Sequence, residues 1–148
     1  MRDKPIDENS LMASGLLRLS WLLERADYAA IAGKALALFN ADYERYGVSG
    51  AGYALALDSY LDGPIGITII APVKSKESGR FKKGALKLYP GRRYVRYLDP
   101  AKDSDEIKRL GFDAEKAPAA YVCAGKTCGP PVSDPEAMES TLSSLIAK

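Results

Sequence analysis

The run Ile65-Gly66-Ile67-Thr68-Ile69-Ile70-Ala71 decides the fold class. It is short, β-branched and almost wholly apolar, bounded by Gly63-Pro64 and Pro72, which is how a strand covered on both faces reads. Helical and extended patterns alternate after it. A polar helix is expected over about 76–88, with Phe81, Ala85, Leu88 and Tyr89 on one side; Pro90-Gly91 then turns into a strand over 92–98, where Val95 and Tyr97 alternate with Tyr94, Arg96 and Leu98. Asp103 or Ser104 caps a short helix that carries Ile107 and Leu110 inward and ends at Gly111, and 119–123 makes a third strand. Ser133-Asp134-Pro135-Glu136 reads as a capping box opening a last helix with Met138, Leu142, Leu145 and Ile146 inward. This β-α-β-α-β-α order predicts an α/β fold with a small, mostly parallel three-stranded sheet and right-handed connections.

Upstream of the run, residues 1–62 read as about three helices. Leu11, Met12, Leu16, Leu19, Leu22 and Leu23 recur at three- and four-residue steps, predicting a helix over about 10–25 with those side chains as its buried stripe and Asp7 or Ser10 as its cap. Tyr28, Ile31, Ala32, Ala35, Leu38 and Phe39 mark a second helix, folded back after the short link 25–27. Gly47 is expected as an αL cap and Ser49 as the start of a third helix buried through Tyr53, Ala54, Leu57 and Leu61. The division expected is thus 1–62 helical and 63–148 α/β.

Composition narrows the chemistry. The 148 residues include no histidine and two cysteines. Ser-His-Asp and Cys-His nucleophile pairs, His-ligated zinc or haem and imidazole acid-base catalysis are therefore excluded, as is a four-ligand Cys/His zinc site within one chain. No apolar run approaches the roughly 18 residues of a membrane span and the first ten residues carry no signal-peptide core, so a cytoplasmic location is expected. No cofactor is implied.

Two stretches can carry chemistry. In Cys123-Ala-Gly-Lys-Thr-Cys128-Gly-Pro-Pro the cysteines have four residues between them, not two, and Gly-Pro-Pro prevents a helix from starting at the second, so the thioredoxin-type activation of a thiolate is absent. Structural thiols or a disulfide, a labile redox or sensor pair, and a metal site completed by a second chain are the readings open for Cys123 and Cys128. Gly125-Lys126-Thr127 resembles the end of a phosphate-binding loop, but Ala120 stands where its first glycine belongs. Between Pro72 and Arg96 the local charge is +8 in a chain of +2. Lys82, Lys83, Arg92 and Arg93 are the candidates there for anion or nucleic-acid binding, with tyrosines nearby for stacking; a solvated helix face and an arginine-guarded edge strand account for the same charges and are the preferred reading. Acids at Asp7-Glu8 and at 103–106 sit where helices begin, which stabilises them without a catalytic role.

Several stretches together resemble the C-terminal part of the large thioredoxin-domain-containing proteins related to the spermatogenesis-associated and YyaL-like family. They are Pro5-Ile6-Asp7-Glu8-Asn9-Ser10, Met12-Ala13, Leu16-Leu17-Arg18-Leu19, Tyr28 with Ala32, and Ala120-Tyr121-Val122-Cys123, Cys128, Pro130-Pro131 and Ser133-Asp134-Pro135. The resemblance implies that residues 1 to about 62 correspond to late hairpins of a six-hairpin (α/α) toroid and 65–148 to a terminal α/β extension. The family's thioredoxin-like domain and most of its toroid have no counterpart here, and the acid-base histidines of the related sugar epimerases have none either. The resemblance thereby implies an accessory, non-catalytic module that self-associates or docks on the missing parts through faces such as Leu16, Leu19 and Leu23.

Overall fold

A computed structural model describes residues 5–88 and 91–147. The positions expected for Tyr89 and Pro90 lie outside the described residues. The chain is mixed α/β and divides into two units, Met1–Gly63 and Pro64–Lys148.

The first unit holds α1 (Ile6–Leu23), α2 (Ala26–Ala37) and α3 (Ala51–Asp62), with a 3-10 stretch Tyr43–Gly50 before α3. Its core joins Ile6, Ala13 and Leu17 of α1, Ala32 and Leu36 of α2, Phe39, and Tyr53 and Ala56 of α3. Alanines on all three helices let the backbones approach closely, and the edge-to-face rings of Phe39 and Tyr53, with centroids 6.1 Å apart, fill what remains.

This core corrects the stripe expected for α1. Leu11, Met12, Leu19, Leu22 and Leu23 face solvent and Leu16 is only half-buried, whereas Ile6, Ser10, Ala13, Leu17 and Ser20 point inward. The two buried serines cost little because each donates to a carbonyl of its own helix, Ser10 to Ile6 and Ser20 to Leu17. Hence α1 is apolar on two faces, and packing chose the one with small side chains. The expected caps change too: Pro5 holds the N-cap position, so α1 begins before residue 10 and Asp7 lies in its first turn. Gly47 sits inside the 3-10 stretch at φ +52, ψ −129 and closes no helix, and α3 starts at Ala51 rather than Ser49. On α2, Ile31 and Leu38 are exposed; on α3, Ala56 is buried while Ala54 and Leu61 are exposed.

The second unit holds β1 (Ile65–Ile70), α4 (Lys76–Lys87), β2 (Arg93–Leu98), α5 (Ser104–Arg109), β3 (Ala119–Ala124), β4 (Thr127–Cys128) and α6 (Met138–Ile146). Every residue of β1 is buried, as its continuous apolar run requires. The sheet order is β2-β1-β3-β4. One face packs Ile65, Ile67 and Ile69 with Ala120 and Val122 under Phe81 and Ala85 of α4 and Met138 and Leu142 of α6. The other packs Ile70, Leu98 and Tyr121 against Ile107 of α5.

The sheet is mixed, which corrects the mostly parallel three-stranded expectation. β1 pairs with β2 in parallel, but β3 runs antiparallel to β1 and forms a hairpin with β4. The two connections differ in how far their helices carry the chain. A parallel return must carry the chain back along a six-residue strand, about 20 Å, and α4 with 12 residues does so between β1 and β2. Six-residue α5 spans only about 9 Å, and the chain re-enters the sheet at the end where β2 stopped, Ala119 facing Ile70. A cis peptide joins Ala117 to Pro118 just before β3.

Caps in this unit are local. Ser75 accepts from the backbone N–H of Ser78 to open α4. Asp134 accepts from Glu136 N–H at 3.2 Å and opens a 3-10 turn, Pro135–Ala137, that runs into α6. The capping residue is thus Asp134, which caps this turn and not α6 itself, whose N-cap is Ala137, and Ile146 at the far end of α6 is exposed. Asp103 holds the N-cap place of α5, yet its carboxylate accepts from Asp99 N–H at 2.7 Å, outside the helix.

Asp99 ties the loops at the C-terminal ends of β1 and β2. Its buried carboxylate accepts from Val73 N–H at 3.0 Å and from Ala101 N–H at 2.9 Å, and these bonds hold its pKa below the usual carboxylate value. A lowered folded pKa stabilises the fold above the unfolded value of about 3.9, and that contribution disappears as pH falls through the folded pKa. Asp99→Asn is therefore expected to be less stable than the parent at pH 6, with the gap in urea midpoint closing as pH falls below the unfolded carboxylate value. A gap that stays constant over that range would show that the carboxylate charge contributes nothing.

Candidate functional site

The two cysteines meet across the β3–β4 hairpin. Ala124 pairs with Thr127 around a two-residue turn, Gly125-Lys126, and Gly125 takes φ +57, which a first turn position of this kind demands. Gly129 N–H donates to Val122 O at 2.9 Å, so the intervening pair, Cys123 and Cys128, occupies a non-hydrogen-bonded position. Such pairs bring Cα atoms closest, here to 3.9 Å, and the sulfurs are bonded at 2.08 Å. With both sulfurs committed to each other, neither is a thiolate donor for a metal.

The disulfide is asymmetric. Cys123 is buried, on a strand flanked on both sides, while Cys128 is exposed on the edge strand. The hairpin is also held independently of sulfur: Gly125 N–H donates to Pro64 O at 2.9 Å, and Val132 and Ala120 exchange two backbone hydrogen bonds, of 2.8 and 2.9 Å.

Strand register extends the site in a direction that sequence reading missed. Cys128, Cys123, Gly66 and Tyr94 form one row across all four strands. A methyl group built on Gly66 would lie 2.7 Å from the Tyr94 hydroxyl, so the phenol lies over β1 in the space that glycine leaves open. Arg96 stacks on the same ring, its guanidinium carbon 5.9 Å from the centroid. The only hint in the sequence is a glycine set among isoleucines.

The structure does not gather the four basic candidates into one site. Lys82 and Lys83 are successive exposed residues of α4 and therefore diverge by about 100° around it. Arg93 donates to the carbonyls of Leu88 and Leu86, closing the C-terminal end of α4, where cations are favoured. Arg92 is half-buried before β2. A groove of about 470 Å³ runs between α4 and the start of α6, lined by Arg80, Lys83, Lys87, Glu136 and Glu139 among others. Its cations face carboxylates, and Arg80 is paired with Asp134 at 3.8 Å, so the lining is of mixed sign, unlike a phosphate-binding surface. Among the described residues, no group of three or more Cys, Asp or Glu side chains is arranged to hold a metal ion, and no helix is long and apolar enough to cross a membrane.

Comparison with protein-family models, with curated proteins and with solved structures finds no match to the chain.

Proposed function

We propose that the chain is an accessory, non-catalytic module of the thioredoxin-domain-containing family that it resembles, acting in the cytoplasm and docking through its helical unit on further helices. The observation that carries this reading is the outward face of α1. Met12, Leu16, Leu19 and Leu23 recur at steps of four, three and four residues, the spacing of a helix-packing seam, and this stripe lies about 110° around the helix from the one that the core buries. Met12, Leu19 and Leu23 are 48%, 44% and 57% exposed, more apolar surface along one helix than a solitary unit gains from showing. Late toroid helices would meet neighbouring hairpins there. With that seam uncovered, the chain is expected to self-associate, seen as a rise of sedimentation coefficient and scattering mass with concentration. A monomer at every concentration up to the solubility limit would overturn the reading.

A second reading, a thiol-responsive protein acting through Cys123 and Cys128, is favoured by the exposed position of Cys128. In the cytoplasm disulfides are typically transient, catalytic or sensing, because the thiol pool reduces those it can reach. The two readings are compatible, since the hairpin and α1 belong to different units. The basic segment supports no comparable proposal, its arginines being engaged along α4 and Tyr94.

A further inference from the structure

We propose that external thiols open the Cys123–Cys128 disulfide from one side only, by attack on Cys128, with Cys123 as the leaving sulfur and Tyr94 as the residue that enforces the direction. The inference rests on the thiol-responsive reading and adds to it the identity of the attacked atom and the reason.

Thiol–disulfide exchange is a displacement in line with the S–S bond, so the incoming sulfur approaches each half of the disulfide from the side opposite its partner. Which half reacts is then a matter of access along that line. Cys123 and Cys128 are directly opposed across the hairpin, so the line crosses the strands obliquely, with its larger component towards β1 on one side and the sheet edge on the other. Among the described residues no strand lies beyond Cys128, β4 being the sheet edge, and that residue is exposed. Beyond Cys123 lies Gly66, and above Gly66 lies the Tyr94 phenol. A nucleophile approaching Cys123 from the β1 side would meet that ring.

The reaction balances with a thiol as the only co-reactant. A thiolate RS⁻ bonds to Sγ of Cys128, the S–S bond breaks, and its electron pair leaves on Sγ of Cys123, which takes a proton from solvent. A second RS⁻ attacks the external sulfur of the Cys128 mixed disulfide, releasing RSSR and the Cys128 thiolate. Two thiols are oxidised and one protein disulfide is reduced. The attacked sulfur lies on an open edge that a small, freely diffusing monothiol can reach, and that is the ligand class proposed and tested.

The test uses the full chain, glutathione as the probe and iodoacetamide to trap the intermediate, followed by peptide mass spectrometry. The expected product carries glutathione on Cys128 and the alkyl group on Cys123, in at least about tenfold excess over the reverse. Tyr94→Ala is expected to erase most of that preference, and Tyr94→Phe, which keeps the ring, to preserve it. Circular dichroism establishes that each variant is folded. Single-cysteine variants give an independent measure: in Cys123→Ser the remaining Cys128 is expected to react with an aromatic disulfide reagent at least about tenfold faster than Cys123 does in Cys128→Ser. Adducts mainly on Cys123, or a preference unchanged by Tyr94→Ala, overturn the directional inference while leaving a thiol-responsive pair. A disulfide that millimolar glutathione leaves intact overturns both.

Discussion

Phe81→Ala is expected to lower the unfolding free energy of the α/β unit by about 3–5 kcal/mol. The ring is 1% exposed and lies where α4 meets the sheet, packed with Ala85 and Leu88 of its own stripe and with isoleucines of β1. Truncation removes the contacts of a whole ring and leaves a cavity that the rigid strand beneath cannot close, since β1 is paired on both sides. Against a total stability of about 5–15 kcal/mol for a domain, this is about a fifth or more. Leu86→Ala supplies the contrast on the same helix: Leu86 is 57% exposed, and its loss is expected to cost under about 1 kcal/mol. Urea unfolding followed by circular dichroism reads both. Similar costs for the two would mean that α4 is not seated on the sheet through Phe81.

That contrast also shows why this helix was legible in the sequence and α1 was not. In α4 the only large apolar side chains besides Leu86 are those of one face, so the 3.6-residue period has one solution. In α1 the leucines outnumber the sites that the core needs, and periodicity alone picks the largest side chains. The structure instead buries Ile6, Ser10, Ala13, Leu17 and Ser20, a face whose three small side chains let the helices approach closely. β1 was legible because an unbroken apolar run bounded by prolines admits few alternatives.

Strand direction was not legible from patterns alone. The segment between β2 and β3 is long enough to pass for a crossover, yet β3 starts at the end where β2 stopped, which only the strand register shows. β4 is two exposed residues and carries no periodicity. At the site, the cysteines were legible as a pair because sulfur chemistry marks them. The role of Gly66 and Tyr94 was not, because it depends on register across four strands, a relation between residues 28 apart that no local pattern encodes. The absence of histidine retains its force in three dimensions: it leaves the disulfide as the principal reactive group, and the structure sets one of its sulfurs at an open sheet edge.

Leu19→Glu combined with Leu23→Glu is expected to weaken self-association by about three orders of magnitude without destabilising the fold. Both side chains are already about half exposed, so each has roughly half of a leucine's burial free energy, about 1 kcal/mol, still to gain in an interface. In a two-fold dimer each residue counts twice, giving four such terms, about 4 kcal/mol, and each 1.4 kcal/mol is tenfold in Kd. Desolvating the new carboxylates on association would enlarge the effect. Stability should be nearly unchanged, because neither leucine belongs to the core that holds α1. Leu17→Glu is the necessary counterpart: two residues from Leu19 but 2% exposed, it would bury a charge among Ile6, Ala32 and Phe39 and unfold the helical unit. Sedimentation velocity reads the association, and fluorescence of the single tryptophan, Trp21 on α1, reads the fold. Undiminished association in the folded Leu19→Glu, Leu23→Glu variant would move the docking surface away from this seam. Unfolding of that variant would instead show that these leucines hold α1 in place, contrary to their solvent-facing positions.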